Sequence, residues 1–458
     1  MLGLLIGVAV VAVAATLIAR NYQPQTVLLV TGLILLALTS LVFPDHSILY
    51  QNAKSIGWKG FDVFAFVKES LIAQISGIGL IIMASAAFAD YMDHIGATAS
   101  MVRFCIKPLR LIKAPYLILA SGYVLGQCLH VAIPSAAGLA MLLLVTFFPM
   151  MVSLGVSKPA AAAMIALCSF MDIGPAVGTA NLAARTAGIP PAVYFVRDQI
   201  PVVVWVVGVV AILLFFSARY LDRGRDGSIF RAQPEPAIDE QVRDDAPGFY
   251  ALLPLVPITL ILVFSPLLVG EVTMDVVTAM VIGSVAGLIC ELLVKRDIRT
   301  AFKGFQVFFN GIGSSFAGVV SLLVCADVFA HGLEVVGAVD YMIGSVRDAG
   351  FGINVMALAM TLMVGVTAMI TGSGVAAFFA FSGLAPGIAT NFGVSAVTML
   401  LPMQLMAGMG RAISPVSGVI IAVSKAGECR PFEIVGRTII PSIGGMVTMI
   451  LVNYLRNG

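Results

Sequence analysis

The chain has 458 residues, of which 26 are Lys or Arg and 24 are Asp or Glu; charged residues make up 11% and apolar residues 60%. Soluble domains carry about 25% charged residues, and with a mean hydropathy of +1.03 this chain cannot cover itself against water. The medium around most of it is lipid, which excludes a secreted enzyme, a nucleic-acid binder and a disordered chain.

A helix needs about 20 apolar residues to cross ~30 Å of hydrocarbon. Runs of this kind lie at 2–19, 26–43, 71–92, 158–182 and 199–218, and again at 249–268, 274–294, 309–331, 396–422 and 434–455. The first run is uncharged until Arg20, the reverse of a signal peptide's order, and reads as an uncleaved span with its N-terminus outside. Two further apolar stretches, 115–153 and 353–391, are too long for one span and are interrupted near their middles by small or helix-breaking residues. Between the two sets lies 221–248, with 11 of the charges in 28 residues plus Pro and Gly, the composition of a solvated linker.

The two halves, 1–220 and 249–458, match each other. Phe88-Ala89 and Gly96 recur as Phe329-Ala330 and Gly337 at an offset of 241, and Ser135 recurs as Ser373 at 238. Gly155-Val156-Ser157 recurs as Gly393-Val394-Ser395 at 238, and Asp172-Ile173-Gly174-Pro175 as Ala412-Ile413-Ser414-Pro415 at 240. A nearly constant offset points to internal duplication. Five spans per half place the second copy upside down, the inverted-repeat plan of secondary transporters. The expected fold is therefore an all-α polytopic membrane protein of two inverted repeats. Each repeat has five transmembrane helices and one re-entrant hairpin, at 115–153 and 353–391.

Basic residues orient this plan. With the linker in the cytoplasm and both termini outside, 18 Lys and Arg fall in inner loops, Arg437 among them. Seven fall outside: Lys54, Lys59, Lys68, Arg185, Arg197, Arg347 and Arg456. The bias follows the positive-inside rule. Arg411 alone fits neither side.

Arg411 stands in Gly408-Met409-Gly410-Arg411-Ala412-Ile413-Ser414-Pro415-Val416-Ser417-Gly418, about 15 residues into a span. A central Arg costs roughly 2.5–3.5 kcal/mol on insertion scales and must face a cavity or a partner. Gly410 and Pro415 break the helix there. Arg411 either forks onto an anionic substrate, with Ser414 and Ser417 beside it, or forms a structural ion pair. The matching break, 172–181, offers Thr179 and Asn181 as neutral hydrogen-bonding groups and Asp172 as a carboxylate. Asp172 either carries a proton or cation or pairs with Arg411. The hairpin tips, 133–138 and 370–374, place Ser135, Thr371 and Ser373 where helices restart. Helix N-termini there favour a carboxylate; capping is the plainer role for the serines. His130, near the first tip, is a second candidate for proton coupling. Asp93 and Glu334 align at an offset of 241 at membrane edges, and Ser100–Arg110 reads as an interfacial basic arm. No two histidines stand at i, i+3 or i, i+4, and no cysteines form C-x-x-C. Neither a metal site nor a cofactor is expected, and no nucleophile–base spacing marks an enzyme.

The chain resembles the DcuC-type anaerobic C4-dicarboxylate carriers, of the ion transporter superfamily, over nearly its whole length. The likeness is carried by 88–96, 142–162 (LLLVTFFPMMVSLGVSKPAAA), 371–381, 410–419 (GRAISPVSGV) and 431–441 (PFEIVGRTIIP). It implies a homodimer in a bacterial inner membrane, with a fixed scaffold and a moving domain of hairpins and broken helices. It also implies fumarate, succinate, malate or aspartate as cargo, with coupling to H⁺ rather than Na⁺ or by exchange. Another small organic anion, or an anion channel, is the alternative. The family's second tip usually reads Gly-Ser-Gly-Asn; here Gly374 is followed by Val375, which removes one amide. Asp172 falls on no family motif.

Overall fold

A computed structural model describes residues 2–20, 22–42, 48–49, 55–112, 114–222, 246–269, 271–272, 274–338, 341 and 352–457. Most of the linker, with Lys54, Lys113 and Arg347, lies outside these. Every regular element among the described residues is helical. Eight helices are long and apolar enough to cross a membrane: Pro24–Val42, Lys59–His94, Pro115–Ala132, Pro191–Asp222, Val276–Lys295, Ile298–Val335, Ile353–Thr371 and Pro431–Arg456. The bent pair Gly374–Ser382 and Ala385–Asn391, meeting at 44°, makes a ninth if counted as one span. Four of the eight begin on proline, whose missing N–H costs nothing in a first helical turn. On Pro191–Asp222 the outward face carries Val204, Trp205, Ile212 and Phe216, all more than half exposed, as suits a helix turned to lipid.

Several boundaries differ from those read in the sequence. The runs 71–92 and 309–331 are the C-terminal parts of helices of 36 and 38 residues. At 1.5 Å per residue these are about 54–57 Å long, well beyond the hydrocarbon. Lys59, Lys68, Arg299 and Lys303 therefore sit in helical turns rather than loops. The run 249–268 is not one span: Gly248–Leu255 is a 3₁₀ turn and Val256–Val263 a short α-helix. Pro254, Pro257 and Pro266 divide it. Leu221 and Asp222, assigned to the linker, end the helix Pro191–Asp222, and Arg437, assigned to an inner loop, is buried in the last helix.

Element bounds repeat along the chain. Each long helix contains a π turn, Ile75–Gly79 in one and Phe316–Val320 in the other, 241 residues apart. Pro115–Ala132 and Ala136–Thr146 correspond to Ile353–Thr371 and Gly374–Ser382, and Lys158–Leu167 and Gly178–Thr186 to Val397–Arg411 and Gly418–Ala426. Gly96 and Gly337, and likewise Gly155 and Gly393, share positive φ. Corresponding elements pack together head to tail. The start of one long helix, Lys59–Gln74, lies on the end of the other, Ser321–Val335, and Leu80–His94 lies on Ile298–Ser315. Pro191–Asp222 and Pro431–Asn457 are joined at one end by Asp222 and Arg437 (2.6 Å) and at the other by Asp198 and Arg456 (3.7 Å).

Small residues let backbones meet. A Cβ on Gly32 would lie 2.8–2.9 Å from the backbone of Val328 and Phe329, whereas one on Gly208 meets nothing within 4 Å. Gly32→Ala is expected to destabilise the protein by about 1–3 kcal/mol through overpacking. Gly208→Ala should be neutral or stabilising by up to about 1 kcal/mol. Thermal unfolding of both variants in detergent checks the contrast.

Candidate functional site

Both interrupted spans lose their helices midway. The first is non-helical over 168–177, between Lys158–Leu167 and Gly178–Thr186; the second over 412–417, between Val397–Arg411 and Gly418–Ala426. Thr179 and Asn181 thus belong to the first turn of the restarted helix rather than to the break itself. Freed backbone groups at this depth need partners, and side chains supply them. Asn181 Nδ2 donates to the carbonyls of Pro175 (2.8 Å) and Val177 (2.9 Å), and Thr438 Oγ1 donates to that of Ala412 (3.0 Å).

Arg411 ends the helix before the second break and reaches into the first. Its Nη2 donates to the Ser169 carbonyl (2.6 Å) and to Asp172 Oδ1 (2.9 Å). Asp172 is buried and holds a left-handed backbone, φ 49°, which Asp tolerates better than most residues. His130, fully buried, places Nε2 3.5 Å from the same Oδ1. Three sequence candidates, Arg411, Asp172 and His130, therefore form one cluster. The pairing left open in the sequence is present, joining the two breaks.

Two glutamines brace the cluster. Gln404 Nε2 donates to the carbonyls of Met171 (3.3 Å) and Asp172 (2.9 Å), while its Oε1 accepts from Gln199 Nε2 (2.9 Å) and the Tyr194 hydroxyl (3.3 Å). Gln199 Oε1 accepts from the Gly174 N–H (3.2 Å). Both glutamines were missed in the sequence; for Gln404, a single Gln inside an otherwise apolar run was the available signal, whereas Gln199 follows Arg197-Asp198 and carried none.

The tips lie against the breaks. Gly372, at φ 71°, has its would-be Cβ 2.9 Å from the backbone of Val416 and Ser417; a side chain there is excluded by both conformation and space. Gly174, at φ 125°, sits similarly against Val131 beside the first tip. Ser135 Oγ accepts from the Gly138 N–H (3.1 Å) and Ser373 Oγ from the Ala376 N–H (3.2 Å), so both are N-caps. Thr371 Oγ1 donates to the Thr367 carbonyl (2.8 Å) and accepts from the Ser373 N–H (3.2 Å). In contrast, Thr179 Oγ1, Asn181 Oδ1, Ser414 Oγ, Ser417 Oγ and Asp172 Oδ2 are buried without a hydrogen-bond partner. Such atoms are scarce in native structures and call for a reason.

A second buried cluster lies away from this site. Asp222 Oδ1 accepts from Arg437 Nη2 (2.6 Å) and the Ser157 hydroxyl (3.0 Å), clamping the last helix to the start of the first interrupted span. Nearby in sequence, Lys158 meets Glu428 at 2.6 Å, and this hydrogen bond holds the Glu428 carboxyl below the usual carboxylate range. Two apolar cavities lie elsewhere. One of about 440 Å³ is lined by Phe104, Cys128 and Phe249 among others, and one of about 60 Å³ by Phe329, Thr371 and Phe381. Neither is lined by Arg411, Asp172 or Ser414. The remaining sequence signals are spread out. His331 stacks on Phe66 at 4.3 Å and lies 3.6 Å from Glu334. Asp93 approaches Gly138 behind the first tip. Of the basic arm Ser100–Arg110, Ser100, Met101, Val102 and Ile106 are buried while Phe104 and Lys107 are exposed, and the helix Ala97–Ile106 packs on Gly248–Leu255.

An all-helical, multi-span chain with charged and polar groups gathered at two interrupted spans is a membrane transport protein by architecture. Comparison with solved structures agrees in fold. The Alcanivorax borkumensis YdaH transporter superposes with a TM-score of 0.62 at 14% identity, covering 95% of this chain and 98% of its own. The Neisseria gonorrhoeae MtrF structure, described as illuminating a class of antimetabolite efflux pumps, superposes at 0.58 with 12% identity and 94% coverage of both chains. The family model described as "C4-dicarboxylate anaerobic carrier" (DcuC) matches residues 2–456. A Vibrio cholerae protein named "Probable anaerobic C4-dicarboxylate transporter DcuC" is 36% identical over 453 residues, spanning 98% of this chain and 97% of its own. The Escherichia coli K12 anaerobic C4-dicarboxylate transporter DcuC is 34% identical over 452 residues, 99% and 96%. The chain belongs to the DcuC family. It is a transporter and not an enzyme.

Gln404→Ala removes the donor to two carbonyls and the acceptor of two side chains. Each buried group left unsatisfied is expected to cost about 1–3 kcal/mol, read as a lowered unfolding temperature in detergent.

Proposed function

We propose that the chain is a secondary active carrier of C4-dicarboxylates such as succinate, fumarate, malate and aspartate across the bacterial inner membrane. The observation that carries this reading is the part-buried Arg411, which ends the helix before one break and bonds into the other, while the residues around both breaks keep buried hydroxyl and amide oxygens without a hydrogen-bond partner. One guanidinium matches one carboxylate, preferably through two parallel bonds. In this reading Ser414 and Ser417 of the second break and Thr179 and Asn181 beside the first would add neutral groups, and the capped tips at Ser135, Thr371 and Ser373 would offer backbone N–H groups to the second carboxylate. The relatives' names support the same substrate class.

The mechanism follows from this reading. The head-to-tail packing of corresponding elements supports two inverted repeats, and the tips against the breaks support re-entrant hairpins. Because the polar groups are enclosed, the cargo enters only when tips and breaks separate. We propose that an elevator-type motion then carries the hairpins and interrupted spans against a fixed scaffold formed by other helices of the chain. Cation coupling, by H⁺ rather than Na⁺, or exchange drives it, with Asp172 and His130 as the candidate coupling residues. The excess of basic residues on the linker side supports a cytoplasmic linker and periplasmic termini. We extend the reading to a homodimer, on the strength of the family likeness.

Arg411→Ala is expected to abolish succinate uptake into proteoliposomes. It also strands Asp172, at about 3–5 kcal/mol for a broken buried pair. Arg411→Ala/Asp172→Ala removes both charges, so it should recover stability but not uptake. Uptake surviving in the double variant would sink the assignment, and a flux without saturation or counterflow in the parent protein would replace the carrier with a channel.

A further inference from the structure

We propose that Asp172 is an internal stand-in for a substrate carboxylate: it pairs with Arg411 until an incoming dicarboxylate takes its place, and the displaced Asp172–His130 pair then takes up one proton from solvent per substrate bound. This rests on the carrier reading above and adds the link between cargo and proton.

Four observations converge on it. First, one nitrogen of the Arg411 guanidinium is already engaged: Nη2 bonds to Asp172 Oδ1 at 2.9 Å and to the Ser169 carbonyl at 2.6 Å. A second carboxylate seeking the same guanidinium meets Asp172 as a competitor. Second, Asp172 is not balanced within its own repeat position. Its counterpart is Ala412, so this carboxylate occurs in only one of the two breaks. Third, its other oxygen, Oδ2, is buried without a hydrogen-bond partner, so Arg411 is the main compensation for its charge. Fourth, His130 lies 3.5 Å from Oδ1, and neither of its ring nitrogens makes a hydrogen bond, which leaves it available to pass or share a proton.

The charge balance shows why a proton must follow. Before exchange one guanidinium faces one carboxylate. After a dicarboxylate binds, three carboxylates would share one guanidinium in a buried space. A buried carboxylate deprived of its cation is neutralised rather than kept charged. One proton from water converts Asp172 or His130 to its protonated form; no covalent bond other than that to hydrogen forms or breaks. The charged and titratable groups facing Asp172 are Arg411 from Val397–Arg411 and His130 from Pro115–Ala132. Tyr194 stands behind its backbone, bonded to Gln404.

The backbone geometry suits a displaceable group. The Asp172 backbone, at φ 49°, is bonded by Gln404 through its own carbonyl, separately from the side chain's bond to Arg411. The carboxylate can therefore turn away while the break keeps its shape.

Isothermal titration of the full-length protein in detergent with succinate, in two buffers of different ionisation enthalpy between pH 7 and 8, tests this. About one proton should be taken up per succinate bound, and affinity should tighten toward tenfold per unit fall in pH. Asp172→Asn removes the competitor and should bind succinate several-fold more tightly, with proton uptake falling toward zero. Succinate binding to the unsubstituted protein without proton uptake overturns the proposal, whether or not the variant folds. A folded Asp172→Asn protein that binds more weakly, or still takes up a full proton, overturns it too. If the unsubstituted protein binds no dicarboxylate at all, the carrier reading itself fails.

Discussion

The ion pair between Arg411 and Asp172 joins the two helix breaks, one from each half of the chain. Interrupting a helix at membrane depth frees N–H and C=O groups that lipid cannot satisfy. Here the partners come from other elements. Arg411 bonds to a carbonyl of the first break, Gln404 to two more, and Thr438 to one of the second. Breaking the pair leaves a charge buried without its partner, the costly case for any ion pair in low dielectric. The breaks can therefore persist only while the elements around them stay in register.

That register is set by a frame. Pro191–Asp222 and Pro431–Asn457 are pinned by ion pairs at both ends, and Gln199 extends from this frame to the first break. Asp222 also takes the Ser157 hydroxyl, tying the frame to the start of the first interrupted span. The tips are held differently. Their hydrogen bonds are local caps at Ser135 and Ser373, and glycine closeness at Gly372 and Gly174 does the rest. Van der Waals contact between backbones is lost and regained more cheaply than a buried ion pair. The division between charged anchors and smooth contacts marks where parts can slide.

Much of this was legible in the sequence because lipid makes apolar length and misplaced charge conspicuous. Arg411 and Asp172 stood out as charges in apolar runs, and the constant offset located corresponding tips and breaks. Long-range pairing was less visible. Asp222 looked like the first charge of a linker, yet it is the buried partner of Arg437. Gln199 and Gln404 carry no charge and fell below notice, although they brace the cluster. Lys59 and Lys68 were read as loop residues because a loop is where lysine usually lies. Nothing in the local sequence says that a helix continues past the hydrocarbon. Only the proline spacing at 254, 257 and 266 warned that 249–268 is not one straight span.

The polar residues themselves fall into two kinds, and the difference bears on what the site can hold. Ser135, Ser373 and Thr371 spend their oxygens on the local backbone, so what the tips have left to offer is N–H. Ser414, Ser417, Thr179 and Asn181 keep buried oxygens without partners, so the breaks can meet hydroxyl or amine groups as well as anions. A site with one cation and otherwise neutral groups binds a dianion less tightly than two guanidinium groups would. Weak grip is what a carrier requires, because every contact made on loading must be broken on release. The same logic explains an internal carboxylate beside the only arginine of the two breaks. In the competition proposed above, Asp172 would lower the net affinity for cargo while giving the guanidinium a partner when the site is empty.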